Sequence, residues 1–164
     1  MVALDIGANF GDVAAVIADC VGPSGRVVPF EASPDNAERL RGCVVEMPQV
    51  EVCDAAVTDQ QGTTTPHLDA KSSKRHSLFE AAVSVRGITV GVPMVTLGVI
   101  ADELACVDFI KIDVQGAEGR ILAGERDCSR ANYPVVLFEL WPRGMTAAGT
   151  SPAATTFARC CPFL

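Results

Sequence analysis

The sequence predicts an α/β fold: an open, mostly parallel sheet with helices on both faces. Three observations carry that reading. Short apolar runs alternate with helical stretches from Val2 to Val57, joined by links that suit right-handed β-α-β crossovers. The first run, Val2–Ile6, passes through a glycine-bearing turn, Gly7-Ala8-Asn9-Phe10-Gly11, directly into a helix. Polar stations then recur at the ends of successive runs: Asp5–Gly11, Glu31, Asp54 to Asp59, Asp113–Glu118 and Glu139. In a parallel sheet all strand C-termini lie on one edge, which is where ligands bind in open α/β folds.

The elements follow in order. After strand Val2–Ile6, Asp12 to Cys20 reads as a helix, with Val13, Val16, Ile17 and Cys20 on one face. Gly22-Pro23-Ser24-Gly25 ends it, and Arg26–Phe30 is a second strand that stops at Glu31. Ser33 is the expected N-cap of a helix that starts at Pro34 and runs to about Met47, before Pro48. Val50–Cys53 is a third strand, with Ala55–Val57 a candidate extension. Asp59-Gln60-Gln61-Gly62 reads as a hairpin turn into a strand over Thr63–Leu68. Asp69 to His76 is polar and basic and reads as an exposed loop. Val83–Val92 holds a further strand candidate, and Leu97 to Leu104 a short helix. Val107–Ile112 is a strongly apolar strand ending at Asp113, followed by a helix over Gly116–Gly124. Val135–Leu140 is the last buried strand. Met145 to Thr156 is Ala, Thr, Gly, Ser and Pro without a period and reads as loop or disorder. The expected organisation is one domain over residues 1–142 and an irregular or disordered tail over 143–164.

Composition narrows the function. The chain has 164 residues, 49% of them apolar and 20% charged, which is globular rather than disordered. A net charge of -7 argues against a nucleic-acid partner, which requires a basic surface. Seven cysteines with no C-x-x-C spacing support neither a zinc site nor a disulfide framework, and several read as small core residues. The uncharged run Gly87 to Ala101 contains Pro93 and is too short to span a bilayer. With Asp5 inside the first apolar stretch, that stretch is not expected to be a signal peptide. A cytoplasmic protein with no membrane partner is the simplest expectation.

The glycine turn and Glu31 point to a nucleoside. Gly7 permits positive φ and close approach of a ligand. Glu31, 20 residues beyond Gly11, can accept hydrogen bonds from both hydroxyls of a ribose. A dinucleotide fingerprint requires G-x-G-x-x-G; here the spacing is D-x-G-x-x-x-G, with Asn9 at the middle glycine. Asp5 stands where a pyrophosphate would meet repulsion. An NAD-dependent oxidoreductase is therefore disfavoured, and a cationic ligand such as S-adenosylmethionine is favoured.

These segments resemble those of the FkbM-type S-adenosylmethionine-dependent methyltransferases. The resemblance rests on Leu4-Asp5-Ile6-Gly7-Ala8-Asn9-Phe10-Gly11, on Val27 through Pro34, on Ala55-Ala56-Val57-Thr58-Asp59, on Val92 through Leu97, on Phe109 through Glu118 and on Val136 through Leu140. They occur in the family's order over about residues 2–142, and the segment from Lys111 to Glu118 is the most specific. The resemblance implies a class I methyltransferase (Rossmann-like) fold, apparently truncated at the C-terminal antiparallel strands, since only 22 residues follow Pro142. It also implies O-methylation of a sugar or small natural product. By motif, Asp5, Gly7, Asn9 and Gly11 line the methionine end of the cofactor, Glu31 holds the ribose, and Asp54 and Ala55 lie near the adenine. Ser77, in the Lys74–Leu78 loop, and Asp113 complete the expected cofactor site. Gln115 stands where the family usually has Glu.

Methyl transfer needs an aligned acceptor and a group to take its proton. Asp113, Glu139 and His76 are the expected catalytic residues, with Asp113 first because it ends the strand beside Val2–Ile6. For Lys111 the plainer reading is a strand-end lysine over the apolar edge. Glu118 is a further candidate to take the proton, with a first-turn acid complementing its helix dipole as the plainer reading. No metal is expected, although two carboxylates could hold one. An exposed apolar edge strand invites pairing with a second copy, so a homo-oligomer is an expected partner state. A catalytically weak, truncated S-adenosylmethionine-binding module is the alternative function.

Overall fold

The computed structural model describes residues 1–64, 91–104, 106–123, 134–147 and 149–151. Its centre is a four-stranded parallel sheet in the order β2-β1-β6-β7. The strands are β1 (Val2–Ile6), β2 (Arg26–Phe30), β6 (Phe109–Ile112) and β7 (Val135–Phe138). Residues Ala3 to Ile6 are all buried, as a central strand covered on both faces requires. Helices α1 (Asp12–Val21) and α2 (Pro34–Cys43) cover one face. There Ala3 and Val27 meet Ile17 and Ala18, while Ala14 packs with Leu40 and Val44. Helices α3 (Leu97–Leu104) and α4 (Glu118–Ala123) cover the other, where Leu4, Ile6, Val28, Ile110 and Ile112 meet Leu97, Ile100, Ile121 and Leu122. The expected α/β architecture, a mostly parallel sheet between helical layers, is what the chain adopts.

A second sheet of three short strands has the order β3-β5-β4: β3 (Ala56–Val57), β5 (Val92–Val95) and β4 (Gly62–Thr64). This corrects the hairpin expected at Asp59 to Gly62. The two flanking strands do not pair with each other; β5 lies between them, parallel to β3 and antiparallel to β4. The strand expected over Val50–Cys53 is also reduced, to separate bridges Val27↔Val50 and Phe30↔Cys53. Pro29 explains the break. Val27, Pro29 and Glu31 turn their backbone groups toward this segment, where Val27 N–H donates to Gln49, Cys53 N–H to Pro29 and Glu31 N–H to Cys53. Proline has no N–H to give at the middle position.

Other boundaries shift for local reasons. Helix α2 ends at Cys43 rather than Met47, because Gly42 and the β-branched pair Val44-Val45 are weak helix formers. Helix α4 starts at Glu118, since Gln115 and Gly116 both have positive φ (54° and 107°). Residues 142–147, expected to be irregular from Met145, form helix α5 (Pro142–Ala147), with Pro142 at its first turn and Met145 fully buried. Cys20, Cys43 and Cys106 are exposed free thiols rather than core residues. On the outer strand β7, Val135 and Leu137 are 67% and 59% exposed. No helix among the described residues is long and apolar enough to cross a membrane. The expected loop from Asp69 to His76, most of the Val83–Val92 candidate and residues 152–164 lie outside the described residues.

Candidate functional site

A cleft of about 360 Å³ opens at the carboxyl ends of β1, β2 and β6. Its position follows from the register. Asp5 pairs with Pro29 on one side and Lys111 on the other, so Gly7, Glu31 and Asp113 leave the sheet side by side. The turn after β1 is fastened to its neighbours: Gly7 and Ala8 N–H both donate to Phe30 O (3.0 and 3.1 Å), and Asp113 N–H donates to Ile6 O (2.9 Å). Gly7 has φ 77°, and a Cβ there would stand 2.0 Å from the Asp113 carbonyl oxygen. Asn9 also has positive φ (52°), a conformation asparagine tolerates, and its side chain accepts a hydrogen bond from Asn36 (3.1 Å).

Glu31 is built into the wall. It is buried, and Asn9 N–H donates to its Oε2 while Ser33 N–H donates to its Oε1, both at 2.8 Å. Burial pushes its pKa up, and the two backbone donors oppose that. Ser33 thus stands before α2 as expected, but its hydroxyl makes no cap hydrogen bond. Phe10, Ala55 and Val57 give the cleft apolar walls, with the Arg39 guanidinium 4.9 Å over the Phe10 ring.

Of the expected site residues, Gly7, Asn9, Glu31, Ala55, Asp113 and Glu139 line this one cleft. Asp5, Gly11 and Asp54 do not. Asp5 is fully buried beneath the turn, with Lys111 Nζ 2.9 Å from its Oδ1. Gly11 serves packing: it precedes α1 at φ 97°, where a Cβ would stand 2.6 Å from Leu40. Asp54 turns outward to Arg41 at 2.6 Å. His76 and Ser77 lie outside the described residues.

Lys111, read as structural in the sequence, and Gln115, which stands where the family usually has Glu, are both at the site. Lys111 is no strand-end lysine over an apolar edge. Its ammonium donates to Gly7 O (3.1 Å), pairs with Asp5 and lies 3.9 Å from Asp113. The parallel register, a pairing of residues far apart in sequence, puts it there. Gln115 Nε2 donates to both Asp113 Oδ1 (3.1 Å) and Glu139 Oε2 (3.3 Å). Glu118 is fully buried and accepts from Val114 and Gly116 N–H (3.3 and 3.1 Å), so it fastens the turn that precedes its own helix.

The buried acids give the fold a pH dependence. Burial raises the carboxyl pKa of Asp5, Glu31 and Glu118. Raised values mean that the folded chain holds protons more tightly than the unfolded chain. Their stabilising contribution is full below the ordinary carboxylate value and is lost as pH rises through the raised values. The urea midpoint is therefore expected to be higher at about pH 5 than at about pH 8. A midpoint that climbs with pH over that interval would contradict it.

Comparison with known proteins gives the family. A model of the FkbM methyltransferase domain matches residues 5–147. No curated protein matches the chain. Among solved structures, fibrillarin from Aeropyrum pernix, with natively bound S-adenosyl-L-methionine, is similar at a TM-score of 0.43 and 15% identity, over 76% of this chain and 39% of that one. A protein described as an rRNA methylase from Clostridium thermocellum is similar at a TM-score of 0.33 and 19% identity, over 34% of this chain and 31% of that one. The chain spans well under half the length of either. Since the family match covers most of the sequence, including every residue shown to line the cleft, the chain belongs to the FkbM methyltransferase domain family.

Proposed function

We propose that this chain binds S-adenosylmethionine in the cleft and directs its methyl group to a hydroxyl of a sugar or small natural product. The observation that carries the reading is Glu31. Its carboxylate is fixed by the N–H groups of Asn9 and Ser33, one to each oxygen, at the wall of a cleft floored by a glycine turn. The Asn36 side chain also hydrogen-bonds this carboxylate, which still leaves acceptor capacity for a ribose hydroxyl. The cleft size suits a small cofactor. Among the described lining residues, the acids Asp12, Glu31, Asp113 and Glu139 outnumber the one ammonium, Lys111, which favours a cationic ligand over a pyrophosphate.

The cofactor supplies an activated methyl on a sulfonium. This chain's residues do the rest. Phe10, Ala55 and Val57 offer an apolar surface for the adenine. The Gly7 turn allows close approach of the methionine part. Asp113 and Glu139, at the ends of β6 and β7, stand ready to take the acceptor's proton. With S-adenosylmethionine bound, the sulfonium would give up its methyl to the acceptor oxygen and keep the electron pair of the broken carbon–sulfur bond, and Asp113 or Glu139 would take the acceptor's proton.

Calorimetric titration with S-adenosylmethionine, S-adenosylhomocysteine and NAD tests the binding step. Both S-adenosyl compounds are expected to bind and NAD is not. Glu31→Gln loses one charged acceptor and is expected to weaken S-adenosyl binding about 10- to 100-fold, the worth of about 1.5–3 kcal/mol for a hydrogen bond to a charged group. No binding of either S-adenosyl compound overturns the reading. Binding without transfer of labelled methyl to a wide panel of hydroxylated acceptors favours a binding module instead.

A further inference from the structure

We propose that Gln115 is a positioning residue that joins Asp113 and Glu139 into one proton-accepting pair at the solvent-facing side of the cleft, an inference that rests on the methyl-transfer reading above. One amide nitrogen donates to both carboxylates, at 3.1 Å to Asp113 Oδ1 and 3.3 Å to Glu139 Oε2. An NH2 group has two hydrogens, so each carboxylate takes one and both are drawn to the same point. The ends of neighbouring strands β6 and β7 are thereby tied together across the sheet edge.

The amide is held from behind. Gln115 occupies the left-handed region at φ 54°, a conformation uncommon outside glycine. The next residue, Gly116, also has positive φ, and a Cβ there would stand 2.6 Å from the backbone of Gly144 in α5. Val114 and Gly116 both donate their N–H to Glu118. The 114–116 turn is thus pinned by α5 on one side and the buried Glu118 on the other. A side chain leaving such a turn aims consistently, which is what a bridge between two strand ends demands.

The charges facing the pair are mixed. Lys111 Nζ lies 3.9 Å from Asp113 Oδ2, but it is engaged more closely by Asp5 and Gly7. Glu118, from α4, adds a like charge. Burial and then the Asp113 carboxylate push the Glu139 pKa up, and the Gln115 hydrogen bond pulls it down. The Asp113 carboxylate beside it favours a proton on Glu139. In the reaction, the acceptor O–H proton passes to this pair while the oxygen–methyl bond forms and the sulfur keeps the electrons of the broken bond. The pair releases the proton to solvent after product leaves.

The test is a carboxyl ¹³C NMR titration of the full chain without cofactor, with signals assigned through Asp113→Asn and Glu139→Gln. In the wild type the Glu139 midpoint is expected above the ordinary Glu value and to fall toward it in Asp113→Asn. Gln115→Asn keeps an amide and tolerates the positive φ, but is one methylene too short to bridge. It is expected to raise the Glu139 midpoint by about half to one pH unit. Gln115→Glu keeps the length, adds a third carboxylate and is expected to raise it further. A purely structural role for Gln115 predicts lower stability with an unmoved midpoint. A Glu139 midpoint that is the same in the wild type and in both Gln115 variants overturns the proposal, whatever Asp113→Asn shows. Because no cofactor is present, that failure is distinct from a failure of S-adenosylmethionine to bind.

Discussion

Gly7→Ala is expected to destabilise the fold by more than about 3 kcal/mol, a large part of the 5–15 kcal/mol that typically separates folded from unfolded chains. Two costs combine. A φ of 77° is strained for any residue with a Cβ. In addition, the Cβ would stand 2.0 Å from the Asp113 carbonyl oxygen and 2.9 Å from its carbon. Those are backbone atoms, and they cannot swing aside as a side chain can. Asp113 N–H is bonded to Ile6 O, and Gly7 N–H to Phe30 O, so relief requires parting β1 from β6 or β2 at the cleft. Gly22→Ala is the control. Its φ is also positive (72°), but nothing lies within 4 Å of its Cβ position. It is expected to show the strain alone, about 1–3 kcal/mol. Urea unfolding of both variants measures the difference. Equal midpoints would mean that the contact with Asp113 relaxes at little cost, and the picture of a tightly closed turn would fail. Loss of S-adenosylmethionine binding in any Gly7→Ala protein that still folds is the functional counterpart.

The same turn shows what the sequence makes legible. Strands β1, β2, β6 and β7 are apolar enough to stand out, and an acid at the end of each marks the edge where they converge. The place of Glu31 at the cleft was readable because it depends on position along one strand. Asp113 was readable because its strand is buried enough to lie beside β1. What depends on pairing between distant segments was not readable. The Asp5–Lys111 pair follows from the register of β1 against β6, and no local pattern sets that register. The bridge from Gln115 needs β7 beside β6 and a left-handed turn at a residue that is not glycine. The missing continuity of Val50–Cys53 follows from a proline one strand away. Helix α5 has no period to detect; Gly144 fits against Gly116 only once the sheet is assembled. Asp54 had the right place in the chain for a cofactor contact, but at the surface the Arg41 guanidinium takes it.

Lys111→Met is expected to cost about 3–5 kcal/mol at neutral pH, the usual penalty for stripping the partner from a buried charge. Asp5 is 0% exposed and the Lys111 side chain 11%, so water cannot replace the ammonium at the carboxylate. Met keeps the apolar stem, so packing changes little, but Gly7 O loses its donor as well. The contact with Asp113, at 3.9 Å and to a side chain 42% exposed, is screened and adds little. Asp5 has one way to limit the damage, which is to bind a proton. Its pKa is already raised by burial in the presence of Lys111, and losing the cation moves it higher. The deficit of Lys111→Met against wild type is therefore expected to shrink as pH falls, because a neutral Asp5 no longer misses its partner. Asp5→Asn combined with Lys111→Met removes both charges and is expected to recover most of the stability. Urea unfolding of the two single variants and the double variant, at about pH 5 and about pH 8, completes the cycle. Strict additivity, or a Lys111→Met deficit that does not depend on pH, would show that the pair acts as two independent residues. In that case Lys111 would be held by its stem and the Gly7 carbonyl alone, and the floor of the cleft would owe its shape to backbone contacts rather than to charge.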